Sequence, residues 1–435
     1  MENLIVELSK YLMILLFACY TFMCFYALNG KKSGRRQKRI LKKQTKLIFL
    51  IHLNAFAVMF AVKKTEDVLI AYVMQAALLC CILVIYKYIY KRASWLVVNN
   101  MCMLLAIGLM ILFRLNQEKA LRQYEIAVAA VVITLIVPFV IHKLHFLYRL
   151  AWLYAVAGIA LLAAVAVLGS VSYGAKLSFR VAGIAIQPSE FVKILFVFFT
   201  ASMLAKSTEF AQVAKATAVA ALHVIILVVS KDLGAALIFF ITYLVMLYVA
   251  TRSPFYFVSG FLSGSVASVA AYKLFRHVRV RVSAWKDPLS VIDNEGYQVC
   301  QSLFAIGTGG WFGMGLYQGM PNKIPIVEED FIFAAVSEEL GGIFAVCLIM
   351  VCASCYLMFL NIAMQIQDVF YKLIALGLGT VYGFQVVLTV GGVTKFIPST
   401  GVTLPLVSYG GSSLLSTFIL FAVIQGLYIL REEES

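Results

Sequence analysis

Residues 8–46 read LSKYLMILLFACYTFMCFYALNGKKSGRRQKRILKKQTK, an apolar run followed by nine lysines and arginines between Lys31 and Lys46, after which the chain turns apolar again. An uninterrupted apolar stretch of roughly 20 residues is the length a helix needs to cross the hydrocarbon core of a bilayer. A dense basic block beside such a stretch marks a loop on the cytoplasmic side, facing anionic lipid. Glu2 and Glu7 stand where a signal peptide carries positive charge, and no small-x-small cleavage site follows the run. The first run is therefore expected to be a retained span with its N-terminus outside.

Composition extends this reading to the whole chain. Of 435 residues, 63% are hydrophobic and 13% charged, and mean hydropathy is +0.94. Soluble domains carry about a quarter charged residues, so there is too little charge here to dress a water-facing surface. The formal net charge of +15 is concentrated beside apolar runs, a pattern that fits membrane lipids as partners and speaks against nucleic acid. The nine cysteines fall almost entirely in apolar runs, including Cys352 and Cys355, and read as packing residues. His142 and His145 form no metal-ligand pattern with other residues.

Apolar runs fall near 8–29, 46–62, 68–89, 97–114, 124–141, 150–171, 190–205, 214–230, 234–251, 255–273, 341–361, 370–391 and 405–430. They predict an all-α, polytopic transmembrane bundle of about thirteen helices. Alternation from the first basic loop puts Lys87, Lys91 and Arg92, then Lys143 and Arg149, then Lys206 and Lys215, then Arg252 inside. The same alternation puts three segments outside: 173–190, a large loop over 274–340, and 393–413. A loop as long as 274–340 is functional or disordered, and its Trp285, Tyr297, Phe304, Trp311, Phe312 and Tyr317 argue that it folds back onto the bundle.

Ionisable residues at membrane depth are costly and become functional candidates. Gln187-Pro188-Ser189-Glu190 opens a helix, and Glu190 and Lys193 are spaced to pair on one face. Asp232 also sits at a helix start, where it reads equally as a cap. Arg276, Arg279 and Arg281 have the fork geometry that suits phosphate oxygens, although such a cluster also binds lipid headgroups. Glu328-Glu329-Asp330 adjoins the apolar Phe331-Ile332-Phe333. Mutual repulsion and apolar surroundings there should raise at least one carboxyl pKa, as a general base requires; a solvated acidic helix start is the plainer reading. Pro398-Ser399-Thr400-Gly401 and Leu404-Pro405 through Ser408-Tyr409-Gly410-Gly411-Ser412-Ser413 form a rigid Gly/Ser-rich entry to the last helix, of the kind that lets backbone amides approach an anion.

In order, these segments resemble the SEDS family (shape, elongation, division and sporulation), the FtsW/RodA/SpoVE group. The resemblance is carried by Gly174-Ala175, Gln187-Pro188-Ser189-Glu190-Phe191-Val192-Lys193, Asp232-Leu233-Gly234, Arg281-Val282 and Asp287-Pro288. It continues through Gly296-Tyr297-Gln298, Gln301-Ser302, Ala305-Ile306-Gly307-Thr308-Gly309-Gly310, Asp330-Phe331-Ile332-Phe333, Glu338-Glu339-Leu340-Gly341 and the 404–413 segment. It implies a SEDS-like core of about ten helices over 146–435 and about three additional helices over 1–145, with a catalytic outer loop over 274–340. It implies a glycosyltransferase of the bacterial plasma membrane that polymerises lipid II, the undecaprenyl-pyrophosphate-linked disaccharide pentapeptide, beside a class B penicillin-binding protein. By the family pattern Asp330 is catalytic. Glu190, Lys193, Asp232, Arg279, Arg281, Gln298, Gln301, Ser302, Ser408 and Ser412 are expected to bind substrate. In that chemistry Arg279, Arg281, Lys193 or a divalent cation, magnesium or manganese, is expected to stabilise the leaving pyrophosphate; the cation's ligands are unassigned, and no organic cofactor is expected. The family's His-Thr ahead of the aspartate reads Glu328-Glu329 here, so these carboxylates are expected to raise the Asp330 pKa or recruit a metal. A flippase for the same lipid, or a non-catalytic scaffold for a partner synthase, are the competing readings.

Overall fold

The computed structural model describes residues 2–28, 34–143, 146–172, 175–181 and 184–434; Lys31, Lys32, His145 and Gly174 lie outside the described residues. The chain begins with α1 (Glu2–Leu28), α2 (Gly34–Lys63), α3 (Glu66–Tyr88), α4 (Trp95–Leu115), α5 (Gln117–Thr134), α6 (Val137–Lys143) and α7 (Ala151–Leu168). Three short strands follow, β1 (Ser170–Ser172), β2 (Ala175–Val181) and β3 (Ile184–Ile186), and then α8 (Pro188–Lys206), α9 (Phe210–Val229), α10 (Leu233–Thr251) and α11 (Pro254–Leu274). The large loop contains α12 (Arg276–Lys286) and α13 (Tyr297–Gly309) before α14 (Ile332–Gln365), α15 (Val369–Val393) and α16 (Gly411–Glu434). Among the described residues, 13 helical stretches are long and apolar enough to cross a membrane.

Two expectations change in detail. The basic block was read as a loop, yet α2 already begins at Gly34, so Arg35, Arg36, Lys38, Arg39, Lys42, Lys43 and Lys46 ride on its first turns. Lysine, arginine and glutamine are good helix formers, so nothing in that stretch stops the helix from extending past the membrane. The outer segment 173–190, to which the sequence assigns no element, carries strands within the otherwise helical chain: β1, β2 and β3 pair as an antiparallel meander, with Ser170 opposite Ser178 and Phe179 opposite Ile186.

The chain forms two compact units. The first comprises Met1–Val132, Ser283–Met358 and Thr389–Gly410. Its axis is α4, whose residues from Leu96 to Phe113 are all buried. Two adjacent asparagines in this apolar helix are wholly buried and fully used. Asn100 Oδ1 accepts from the Tyr20 hydroxyl of α1 at 2.9 Å, and Asn100 Nδ2 donates to Ser354 Oγ of α14 at 3.2 Å. Asn99 Nδ2 donates to Leu41 O at 3.0 Å and Asn99 Oδ1 accepts from Thr45 Oγ1 at 3.0 Å, both on α2. With no apolar driving force between helices in lipid, such bonds and close packing decide which helices associate. Phe17 of α1 packs on Phe344 of α14 with ring centroids 4.3 Å apart. The large loop does fold back: Trp285 Nε1 donates to Lys395 O at 3.2 Å.

The second unit comprises Ile133–Val282, Phe359–Leu388 and Gly411–Ser435. Its core surrounds His223 with the rings of Phe196, Phe199 and Phe239. Pro188 opens α8 at a position where a missing N–H costs nothing, and Asp232 caps α10 by accepting from Ala235 N at 3.1 Å. By contrast α11 buries no residue against the protein.

Candidate functional site

In the first unit the site is organised by a break in α14. Gly341 has φ 88° and ψ 165°, a conformation only glycine adopts without strain. The break frees backbone groups that a straight helix would consume. Met314 N donates to Glu338 O at 2.9 Å and Gly315 N to Glu339 O at 2.8 Å, while Gly342 N and Ile343 N donate to Gly310 O and Trp311 O at 2.8 and 3.2 Å. These four bonds lay the segment 310–315 across the break. The approach is so close that a Cβ on Gly341 would lie 2.5 Å from Phe312 C, and one on Gly313 (φ +75°) 2.6 Å from Gly341 N.

The Glu338 and Glu339 side chains continue this clamp. Glu338 Oε1 accepts from Met320 N at 2.9 Å and Glu339 Oε1 from Tyr317 N at 3.1 Å. Glu339 is also ion-paired with Arg114 at the end of α4, 2.7 Å from Nη2, with the two side chains 2% and 10% exposed. The same guanidinium stacks 4.3 Å from the Tyr317 ring centroid. A buried pair of this kind is costly to break, because whichever charge remains is left unpaired.

Ahead of α14 lie Glu328, Glu329 and Asp330, all half-buried. Glu328 pairs with Lys119 of α5 at 3.2 Å, and its backbone carbonyl accepts from Tyr409 N at 2.8 Å. Lys119 stands 5.5 Å from the Tyr409 ring centroid. Gln123, also of α5, donates to Ser408 O at 3.0 Å and accepts from Gly410 N at 3.2 Å. The acidic stretch is thus bracketed by α5 and the 404–410 turn. Burial raises the Glu329 carboxyl above its ordinary value; Lys119 opposes the shift and Glu328 adds to it. The expected perturbed carboxylate is present, and burial rather than mutual repulsion is its leading cause.

Among the other expected residues of this unit, Ser302 is buried and donates to Val393 O at 2.8 Å, and Ser408 Oγ accepts from Leu404 N at 2.8 Å. Gln298 donates to Pro325 O at 2.8 Å, and Gln301 is half-buried. Ser302, Ser408 and Gln298 thus hold loop backbone in place.

In the second unit Asp232 Oδ2 accepts from Ser189 Oγ at 3.0 Å and from Gln187 Nε2 at 3.2 Å. Burial raises the Asp232 carboxyl, against the bonds from Ala235 N and Ser189; the nearby Glu190 charge adds to the rise and the bond from Gln187 opposes it. Glu190 and Lys193 form the expected pair at 2.7 Å, and Lys193 also donates to Gln385 Oε1 at 2.9 Å. Ser416 Oγ donates to Glu190 Oε2 at 3.0 Å. Ser412 Oγ accepts from Gln187 N at 2.9 Å and donates to Ala185 O at 3.3 Å. Arg279 is exposed, with Nη1 donating to Lys273 O at 2.7 Å, and Arg281 is half-buried.

Sequence reasoning missed Arg114, Lys119 and Gln123. Their signal was present: an arginine closing an apolar run and a mixed-sign connection immediately after it. Among the described residues no group of three or more His, Cys, Asp or Glu side chains is placed to hold a metal ion. The described side chains therefore do not form an all-protein cation cage.

Residues 94–433 match the FtsW/RodA/SpoVE model, described as cell cycle protein. The chain is 41% identical over 267 residues to the peptidoglycan glycosyltransferase RodA of Mycobacterium tuberculosis, a match covering 58% of this chain and 57% of that one. It is 36% identical over 264 residues to the stage V sporulation protein E of Bacillus subtilis, covering 58% and 70% respectively. The chain thus spans a little over half the length of the mycobacterial relative it matches. Among solved structures it superposes with TM-score 0.65 and 25% identity on a chain of a peptidoglycan synthase complex that coordinates polymerization and crosslinking, covering 79% of this chain and 98% of that one. With thirteen bilayer-length helices among the described residues and a match over most of its length, this chain is a multi-pass membrane protein belonging to the FtsW/RodA/SpoVE family of cell cycle proteins.

Proposed function

We propose that the chain polymerises lipid II into glycan strands, with Asp330 as the general base, on the outer face of the bacterial plasma membrane. The observation that carries this reading is the setting of Asp330. It is a half-buried carboxylate next to a burial-perturbed Glu329, at the mouth of a helix whose break pins the loop ahead of it. In the reaction Asp330 takes the proton of the acceptor sugar hydroxyl. The oxygen forms a bond to the donor anomeric carbon, and the bond from that carbon to the lipid pyrophosphate breaks with its electron pair on the leaving oxygen.

The leaving group gains charge; Arg279, Arg281 and Lys193, in the second unit, have the cationic chemistry that a pyrophosphate calls for, and Glu190 and Asp232 hold polar groups of that unit. Magnesium or manganese belongs to the same proposal as a counter-ion: such ions are commonly held by one or two carboxylates together with substrate phosphates. Gln298, Gln301, Ser302, Ser408 and Ser412 serve by shaping the surrounding loops. A class B penicillin-binding protein is the proposed partner, because the synthase complex this chain resembles couples polymerization to crosslinking.

Purified protein with its transpeptidase, supplied with lipid II in vesicles, tests the reading. Glycan strands from the parent and none from Asp330→Asn, a loss of at least about 100-fold, support it. Translocation without polymer would favour a flippase, and neither activity would favour a scaffold.

A further inference from the structure

The family match begins at residue 94, so α1, α2 and α3 precede it. Within the first unit α1 and α2 meet the outer loop directly. Lys10 of α1 is only 9% exposed, although it lies in a bilayer-length apolar helix where an ammonium is costly. It is paired with Glu7 at 2.8 Å and donates to Gly313 O at 3.2 Å. Its neighbour Tyr11 packs on Phe312 with centroids 5.6 Å apart. Val6 is so near that a Cβ on Gly315 would lie 2.5 Å from its Cγ1. From α2, Lys63 stands 5.3 Å from the Tyr317 ring centroid, the ring that also receives Arg114.

The segment 310–317 therefore has two sets of holders. Glu338, Glu339 and the backbone of the α14 break supply one, and α1 and α2 supply the other. From Tyr317 and Met320 the chain runs through a short turn at Pro321–Lys323, with Ile324 and Val327 buried, directly into Glu328-Glu329-Asp330. A shift of the clamped segment moves the root of the stretch that carries Asp330. The root of α1 is itself fixed, through Tyr20 on Asn100 and Phe17 on Phe344.

We propose that α1 and α2, the first two of the three additional helices, are a strut for the loop, in which Lys10 and Tyr11, with Lys63, are positioning residues that hold 310–317 against the α14 break and so aim Asp330 at its acceptor. The proposal rests on the polymerase reading for its catalytic half only. Misplacing a reacting group by about an ångström is enough to cost up to 100-fold in rate without weakening substrate binding.

The test compares full-length parent, Lys10→Ala/Tyr11→Ala and Lys10→Arg/Tyr11→Phe in nanodiscs, by amide hydrogen exchange and by polymerisation of lipid II. In the alanine pair, amides of 310–320 should exchange at least about tenfold faster, while those of α8–α10 stay at parent rates. Its kcat should fall about 10- to 100-fold with KM within about twofold, and the conservative pair should restore both. Unchanged exchange at 310–320 overturns the strut. Faster exchange throughout the chain also overturns it, since the residues would then serve only overall stability. Loosening of 310–320 with an unchanged kcat overturns the positioning role. A parent without polymerase activity would count against the polymerase reading alone, and the exchange comparison would still decide whether the strut exists.

Discussion

Glu328-Glu329 and Glu338-Glu339 are both adjacent acidic pairs in the same unit, yet they are handled in opposite ways. The later pair is buried and engaged: Glu339 meets Arg114 and Tyr317 N, and Glu338 meets Met320 N. The earlier pair is half-buried; Glu328 takes Lys119 across a partly exposed gap, while burial raises the Glu329 carboxyl. The difference teaches a division of labour. One pair is spent on holding a loop, and the other stands half-buried beside Asp330.

The comparison breaks most violently at the helix break itself. Gly341→Ala places a Cβ against the backbone of Phe312 and Trp311 at a positive φ, and is expected to cost about 4 kcal/mol or more, read as loss of folded protein in detergent melting. Next comes Arg114→Met, which strands the Glu339 carboxylate and should cost about 3–5 kcal/mol; Arg114→Met with Glu339→Gln should recover part of that, because no lone buried charge remains. Lys119→Gln touches a more exposed pair, and its expected cost is about 0.5–1 kcal/mol, shrinking in high salt.

The smallest effect is one of sign. A carboxyl raised by burial binds its proton more tightly folded than unfolded, so folded protein loses stability as pH climbs from the ordinary value of 4.5 through the raised one. Glu329→Gln removes that cost. It should melt at or above the parent temperature at neutral pH, and the gap should close below pH 4.5.

The large-scale architecture was legible because membrane solvent leaves a coarse, local record: long apolar runs, and lysine and arginine between them. Glu190 with Lys193 was legible for the same reason, three residues apart on one helix. Arg114 with Glu339 was not, since the partners lie far apart in the chain and only the fold joins them. The strands at 170–186 escaped notice because weak alternation beside a membrane span reads as a connection. The basic block marks the cytoplasmic side, but hydropathy does not show where a helix starts, and lysine and arginine propagate one readily. Glu338-Glu339 stood in the quoted motif, but nothing in its letters says that a broken helix turns those side chains onto the loop.

The central claim is that acidic residues a few turns apart divide into one that reacts and one that holds. It is tested most directly by measuring thermal melting and lipid II polymerisation side by side for Asp330→Asn and Glu339→Gln. The account predicts that Asp330→Asn melts within about 2 °C of the parent but makes no glycan, whereas Glu339→Gln melts well below the parent and still makes glycan, at a rate lowered by the loosened 310–317 segment. An Asp330→Asn protein that polymerises at the parent rate, or a Glu339→Gln protein that is fully folded and inactive, would contradict it.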